Sequence, residues 1–135
     1  MEKLGQNKKI YVGASEIPSA ERGVFSAGVI LSGEIIERCP VIEVSLDDPS
    51  NDDKGILVNY YFYFGKGLAL ALGFGSIYNH SYDPNATYMP KPDEGVIEFK
   101  AIRDIAAGEE ITTNYNFGNP NDKSQPNVHG VPPPA

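Results

Sequence analysis

Short runs of alternating polar and apolar residues recur along the middle of the chain, each closed by a turn signal. Glu43-Val44-Ser45-Leu46 alternates, and so does Ile97-Glu98-Phe99-Lys100-Ala101. Successive side chains of an extended strand point to opposite faces, so a period of two predicts half-buried strands. Over Ile111–Phe117 the same period puts Ile111, Thr113, Tyr115 and Phe117 on one face and Thr112, Asn114 and Asn116 on the other. Gly33, Gly95 and Gly108 mark turns between neighbouring runs. No apolar stripe of helical period exceeds about three turns, and Leu68–Leu72 predicts one short helix. The pattern therefore predicts a mainly β protein of irregular, mostly antiparallel strands. It lacks the strand–helix alternation of dinucleotide-binding sheets and any G-x-x-x-x-G-K-[ST] loop, which sets nucleotide hydrolysis aside.

The ends differ from the middle. Five of the 11 prolines (Pro120, Pro126, Pro132, Pro133 and Pro134) fall in the last 16 residues. Residues 119–135 read as a flexible Pro-rich tail outside the core, and residues 1–9 as a short lead. Residues 10–118 are then the single domain that a chain of 135 residues can support. Lys and Arg number 11 and Asp and Glu 18, a net charge of −7. That balance opposes direct nucleic-acid binding, which rests on Lys and Arg against phosphate, and suits a basic protein or peptide partner. Glu34, Glu37, Glu43, Asp47, Asp48, Asp52 and Asp53 crowd one stretch against Arg38 alone. The run reads either as a solvated loop around Pro49-Ser50-Asn51 or as a rim that draws in a basic substrate.

Cys39 is the one cysteine, and His80 and His129 are the two histidines. An intramolecular disulfide and a cysteine zinc cluster are excluded, and no metal site is expected. Residues 67–78, the most apolar stretch, are broken by glycine and fall short of the roughly 18 residues that span a bilayer. Residues 1–9 lack the apolar core of a signal peptide. A soluble intracellular protein is expected, cytoplasmic or, for a viral protein, in the host nucleus. The sequons at Asn79 and Asn85 then read as chance matches.

Asn79-His80-Ser81 follows the apolar stretch directly and is closed by Asp83-Pro84-Asn85, so these residues form a turn-rich loop on the end of a buried element. Taken alone, the loop reads as a capped turn whose polar side chains bond their own backbone. No G-x-S-x-G elbow surrounds Ser81, and Cys39 sits among apolar neighbours as a small buried hydrophobe, so hydrolase chemistry is not supported.

Three segments taken together carry more. Arg22-Gly23-Val24-Phe25 precedes Gly33-Glu34-Ile35-Ile36; Asn79-His80-Ser81 with Pro84-Asn85 gives N-H-S-x-x-P-N; Gly108-Glu109-Glu110-Ile111 through Tyr115 gives G-E-E-l-t-x-x-Y. In order and spacing this set resembles the SET-domain family of S-adenosylmethionine-dependent protein-lysine methyltransferases. The likeness runs from about Ile10 to Phe117 and is nearest to the minimal stand-alone SET proteins of large algal viruses and bacteria. Glu21 departs from it, standing where the family usually has the first glycine of G-x-G. The resemblance implies a SET fold of small curved antiparallel sheets with a C-terminal pseudo-knot, in which the Tyr115 segment threads beneath the loop 79–85. The viral relatives are dimers, which implies a homodimer.

The implied activity is methyl transfer from S-adenosyl-L-methionine to the ε-amine of lysine in a basic, histone-like or other Lys-rich protein. The alternative is a catalytically silent SET-like module that binds a peptide or protein partner. By resemblance Tyr115 is the catalytic tyrosine. Arg22, Gly23, Asn79, His80 and Phe117 match positions that hold the cofactor. Tyr60, or Tyr61 if the register slips by one, matches a tyrosine lining the lysine channel. Tyr78, Tyr88 and Thr113 fall on the substrate side, and a hydroxyl at Tyr88 would limit how many methyls fit.

Overall fold

The computed structural model describes residues 3–49, 51, 55–116 and 128–130; Phe117 and most of residues 119–135 lie outside the described residues. Nine strands follow one another: β1 (Ile10–Ala14), β2 (Arg22–Ser26), β3 (Ile35–Val44), β4 (Tyr61–Phe64), β5 (Gly67–Ala71), β6 (Asn79–His80), β7 (Ala86–Lys91), β8 (Val96–Ala101) and β9 (Glu110–Thr113). Two short 3-10 turns, Ile56–Tyr60 and Pro92–Glu94, complete the regular structure, and no α-helix occurs among the described residues. None is therefore long and apolar enough to cross a membrane.

The strands form a four-stranded sheet, β1-β2-β9-β6, and a five-stranded sheet, β4-β5-β3-β8-β7. All pairings between named strands are antiparallel except β6 with β9. The core lies where the two sheets meet and is led by aromatic rings. Phe62 stands edge-on to Tyr88 at 5.1 Å and to Phe99 at 6.2 Å, and Tyr78 stacks on Phe99 at 4.3 Å. Each such ring contributes about 1.5–3 kcal/mol through burial alone. Cys39 is fully buried among them, as its apolar neighbours predict, and burial raises its thiol pKa steeply.

Residues 68–72 are not helical. Leu68, Ala69 and Ala71 are buried within β5, which is bonded to β4 on one side and β3 on the other. A strand covered on both faces shows no polar alternation, so its run of Leu and Ala reads equally as helix. The turn after β5 packs directly onto β3. A Cβ at Gly75 would lie 2.7 Å from Ala71 Cβ and 2.8 Å from Cys39 Sγ, so only glycine fits. A register shift between Ile35 and Glu37 turns the Glu37 carboxylate toward the same turn, where it accepts from the Phe74 N–H at 3.0 Å and the Tyr78 hydroxyl at 2.9 Å.

Loop 79–85 straps across β9. Asn85 is 2% exposed and is bonded on every side. Its amide nitrogen donates to the Glu110 carbonyl at 2.8 Å and to Glu109 Oε2 at 2.9 Å, and its oxygen accepts from the Thr112 N–H at 2.9 Å. Ser81 N–H adds a bond to the Thr113 carbonyl at 2.9 Å. This lashing is the knot-like crossing that brings the two late motifs together.

Candidate active site

A cleft of about 450 Å³ opens where the start of β2, the end of the first 3-10 turn, the turn leading into β6 and Tyr115 converge. Its walls are Ser19–Arg22, Asn59, Tyr60, Ser76, Ile77, Asn79 and Tyr115. Ser19 forms part of the lip with φ at 68°, a left-handed backbone that costs a non-glycine residue free energy and is typical of functional loops.

β9 ends at Thr113, so Tyr115 is not the strand residue that period two predicts. The backbone bends instead and is pinned there. Tyr115 N–H donates to His80 Nδ1 at 3.0 Å; its carbonyl accepts from the Tyr88 hydroxyl at 3.0 Å and from Gly130 N–H at 3.1 Å. Its own hydroxyl donates to the Tyr78 carbonyl at 2.5 Å. Burial first, then the Tyr60 phenol and the Glu110 carboxylate, push the Tyr115 pKa up to about 12, so the group is an O–H donor near neutral pH. Since His80 Nδ1 accepts, its ring is the neutral tautomer with the proton on Nε2. Burial lowers the His80 pKa and keeps it in that form.

Glu110 organises the opposite wall. Asn79 Nδ2 donates to Glu110 Oε2 and to the Arg22 carbonyl, both at 2.8 Å, and Ser15 Oγ donates to Glu110 Oε1 at 2.7 Å. Gly23 lies against this knot of bonds, and a Cβ there would collide with the Glu110 carboxylate and the Asn79 amide. Three distant segments thus meet at a point where a side chain would push the Glu110 carboxylate and the Asn79 amide out of their bonds.

The model of the SET domain matches residues 21–116, that is 116 − 21 + 1 = 96 of the 135 residues. The chain belongs to the SET-domain family. A histone-lysine N-methyltransferase of Schizosaccharomyces pombe, specific for H3 lysine-37, is 32% identical over 96 residues, which make up 70% of this chain and 65% of that relative. This SET chain therefore spans under two thirds of that relative's length. A candidate histone methyltransferase of Plasmodium falciparum superposes with a TM-score of 0.66 at 36% identity, covering 81% of this chain and 94% of that one. The Polycomb Repressive Complex 2 of Chaetomium thermophilum bound to S-adenosylmethionine gives a TM-score of 0.62 at 28% identity, over 85% of this chain and 16% of that one.

The SET motif residues separate into groups. Arg22, Asn79, Tyr60 and Tyr115 share the cleft, with Gly23 directly behind it. Tyr61, buried in β4, does not line the cleft, so the structure puts Tyr60 on it. Tyr78 contributes its carbonyl only; its ring is buried on Phe99, and burial with the nearby Glu37 raises its phenol pKa well above the ordinary value. His80 and Tyr88 hold the Tyr115 backbone, while Thr113, 1% exposed, holds loop 79–85. Phe117 lies outside the described residues.

Two further residues belong to this neighbourhood. Glu110 sits inside the G-E-E motif, yet nothing in its spacing marks it as the partner of Asn79. His129 corrects the expectation of a tail wholly outside the core. It is 3% exposed, and its ring stacks on Tyr115 at 3.8 Å and 28°. The correction has a physical reason: Phe62, Tyr88 and Tyr115 leave an aromatic recess that the His129 ring fills. A lone histidine among prolines carries no periodic signal that could have placed it there.

Proposed function

We propose that this chain transfers a methyl group from S-adenosyl-L-methionine to the ε-amine of a lysine in a basic protein or peptide. The convergence of Arg22, Asn79, Tyr60 and a protonated Tyr115 on one cleft carries this reading. Support also comes from the relatives, one of them named a histone-lysine methyltransferase and one structural neighbour holding S-adenosylmethionine. The residues present fit that cofactor. Arg22 can pair with its carboxylate, while Glu21 and the Asn79 amide oxygen can accept from its ammonium. The cleft volume of about 450 Å³ falls within the range of about 300–1,000 Å³ usual for small-molecule sites.

When bound, S-adenosyl-L-methionine supplies a methyl made electrophilic by its sulfonium. The chain's part is to orient and to desolvate. Tyr115 presents a fixed O–H dipole beside the cleft, because His80 and Tyr88 tie its backbone and the Tyr78 carbonyl holds its hydroxyl. Such preorganised dipoles act without reorganising during the reaction. A lysine with pKa about 10.4 must shed its proton to solvent before it can attack, at a cost of about 4–5 kcal/mol near pH 7. Aromatic walls lower that cost by disfavouring the charged form. With the donor held by Arg22 and Asn79, the neutral amine would be placed to accept that methyl, the methyl–sulfur bonding pair staying on sulfur as the neutral thioether leaves.

The competing reading is a silent SET module that binds a peptide without chemistry. Labelled donor incubated with histone and with several other basic substrates separates the two. Label on lysine, together with calorimetric binding of the donor, is the expected result. Absence of both from the intact protein removes the enzyme reading.

A further inference from the structure

Glu37 belongs to the acidic run that the sequence offers as a rim, yet its carboxylate is engaged inside the molecule. The register shift in β3 aims it at the back of the turn formed by residues 72–78, and both oxygens are used there. Oε2 accepts from the Phe74 N–H at 3.0 Å, and Oε1 accepts from the Tyr78 hydroxyl at 2.9 Å. Gly73, with φ of 64°, permits this approach: a Cβ there would lie 2.5 Å from Glu37 Oε2.

Tyr78 connects the carboxylate to the site. Its ring is 2% exposed and lies on Phe99 at 4.3 Å, so the phenol end is fixed in place. Its main-chain carbonyl accepts the Tyr115 hydroxyl. One residue is thus held by Glu37 at its side chain and holds Tyr115 at its backbone. Burial first, then the Glu37 charge, keep the Tyr78 phenol protonated, so it donates to the carboxylate in a charge-assisted bond stronger than a neutral one. The start of the turn is tied separately, by Leu72 N–H to the Pro40 carbonyl at 2.9 Å and by Ser76 Oγ to the Ala71 carbonyl at 2.8 Å. Ser76 and Ile77 face the cleft, whereas Glu37 lies outside it and borders a groove beside residues 3–12.

We propose that Glu37 is a positioning residue for methyl transfer: by holding the Tyr78 phenol it fixes the carbonyl that sets the Tyr115 hydroxyl. The inference rests on the methyltransferase reading of the cleft and adds to it a residue that touches neither donor nor lysine. A shift of about 1 Å in a reacting arrangement can cost about 100-fold in rate. Loss of the Glu37 bond therefore acts on kcat, while the donor keeps its contacts with Arg22 and Asn79.

Three full-length variants test this. Tyr78→Phe removes the phenol bond and keeps the ring on Phe99, and Glu37→Ala removes both bonds. Glu37→Gln can offer its oxygen to the Phe74 N–H and its amide N–H to the Tyr78 oxygen, so it restores both contacts. Magnetic resonance of protein isotope-labelled at tyrosine Cζ reads the Tyr115 hydroxyl without donor or substrate, its line being identified by its loss in Tyr115→Phe. That line is expected to move in Tyr78→Phe and Glu37→Ala and to return to the wild-type position in Glu37→Gln. With donor and a Lys-rich peptide, kcat is expected to fall about tenfold in the first two variants, with the donor KM within about twofold of wild type, and to recover in Glu37→Gln. A Tyr115 line unmoved in Tyr78→Phe overturns the proposal even where Glu37→Ala is unstable. So does a moved line with kcat unchanged, or a line that Glu37→Gln fails to restore. Methyl transfer absent from wild type removes the enzyme reading alone and leaves the spectra to decide whether Glu37 sets Tyr115.

Discussion

Tyr115 has two neighbourhoods of opposite quality. On the cleft side, Asn79, Glu110, Ser15 and the Arg22 carbonyl satisfy one another with bonds of 2.7–2.8 Å. On the tail side, His129 lies against the same ring with two buried nitrogens unpaired. The first arrangement is preorganised and resists change; the second is held by main-chain bonds and ring packing. Preorganisation where a small molecule must be oriented is the physical requirement of a site that aligns its substrates.

The sharpest way to break the contrast is to introduce a side chain on the rigid side. Gly23→Ala forces a Cβ into the Glu110 carboxylate and the Asn79 amide. Donor affinity should fall by about 100-fold and stability by about 1–3 kcal/mol, read by calorimetry and denaturant unfolding. A normal donor isotherm would show that the close approach is irrelevant to binding. Glu110→Ala comes next. It leaves the half-buried Asn79 amide and Ser15 hydroxyl short of an acceptor, and about tenfold weaker donor binding is expected, with Glu110→Gln recovering part of the loss through its remaining carbonyl oxygen.

Acid acts on the tail side. Burial, with the nearby His80 ring, holds the His129 pKa down to about 3, against about 6.5 in an open chain. A detached imidazole takes up a proton that the docked one refuses. Docking is therefore complete above about pH 6.5 and weakens as pH falls toward 3, by up to about 1.4 kcal/mol per pH unit. His80, also lowered by burial, works in the same direction, whereas Glu34 and Glu109, whose pKa values are lowered, add acid sensitivity only below about pH 4.5. Protection of the Tyr63 amide against hydrogen exchange, which depends on its bond to His129, should thus drop between about pH 6.5 and pH 5. Protection unchanged over that interval would place the imidazole in a solvated position.

The smallest expected effect belongs to Tyr88→Phe. The hydroxyl is committed to the Tyr115 carbonyl, and its loss should cost about 1 kcal/mol of stability. It should also move the product mixture toward more heavily methylated lysine, read by mass spectrometry, because Tyr115 gains slack against the amine.

Much of the sheet structure is legible in the chain because half-buried strands advertise themselves. Ile97–Ala101 alternates and lies in β8, with Ile97, Phe99 and Ala101 turned into the core. β5 is not legible, since a strand covered on both faces loses its alternation, and Leu68–Leu72 then reads as helix. Ile111–Phe117 shows the limit within one segment: the alternation runs on in the sequence, but the strand stops at Thr113 because His80 captures the Tyr115 N–H. At the site, the motifs mark Arg22, Asn79 and Tyr115 because their spacing is distinctive. Glu110 acts through a long-range bond to Asn79, and His129 through a recess built by three separated aromatics, and neither relation leaves a local trace.

Mass spectrometry of a Lys-rich peptide incubated with S-adenosyl-L-methionine and either wild type or Tyr115→Phe tests the central claim most directly. Wild type should add one or more methyl masses to lysine, while Tyr115→Phe, still folded and still binding the donor, should be slower by at least about 100-fold. Equal methylation by the two proteins, or none by wild type on any basic peptide, would contradict the assignment of chemistry to this cleft.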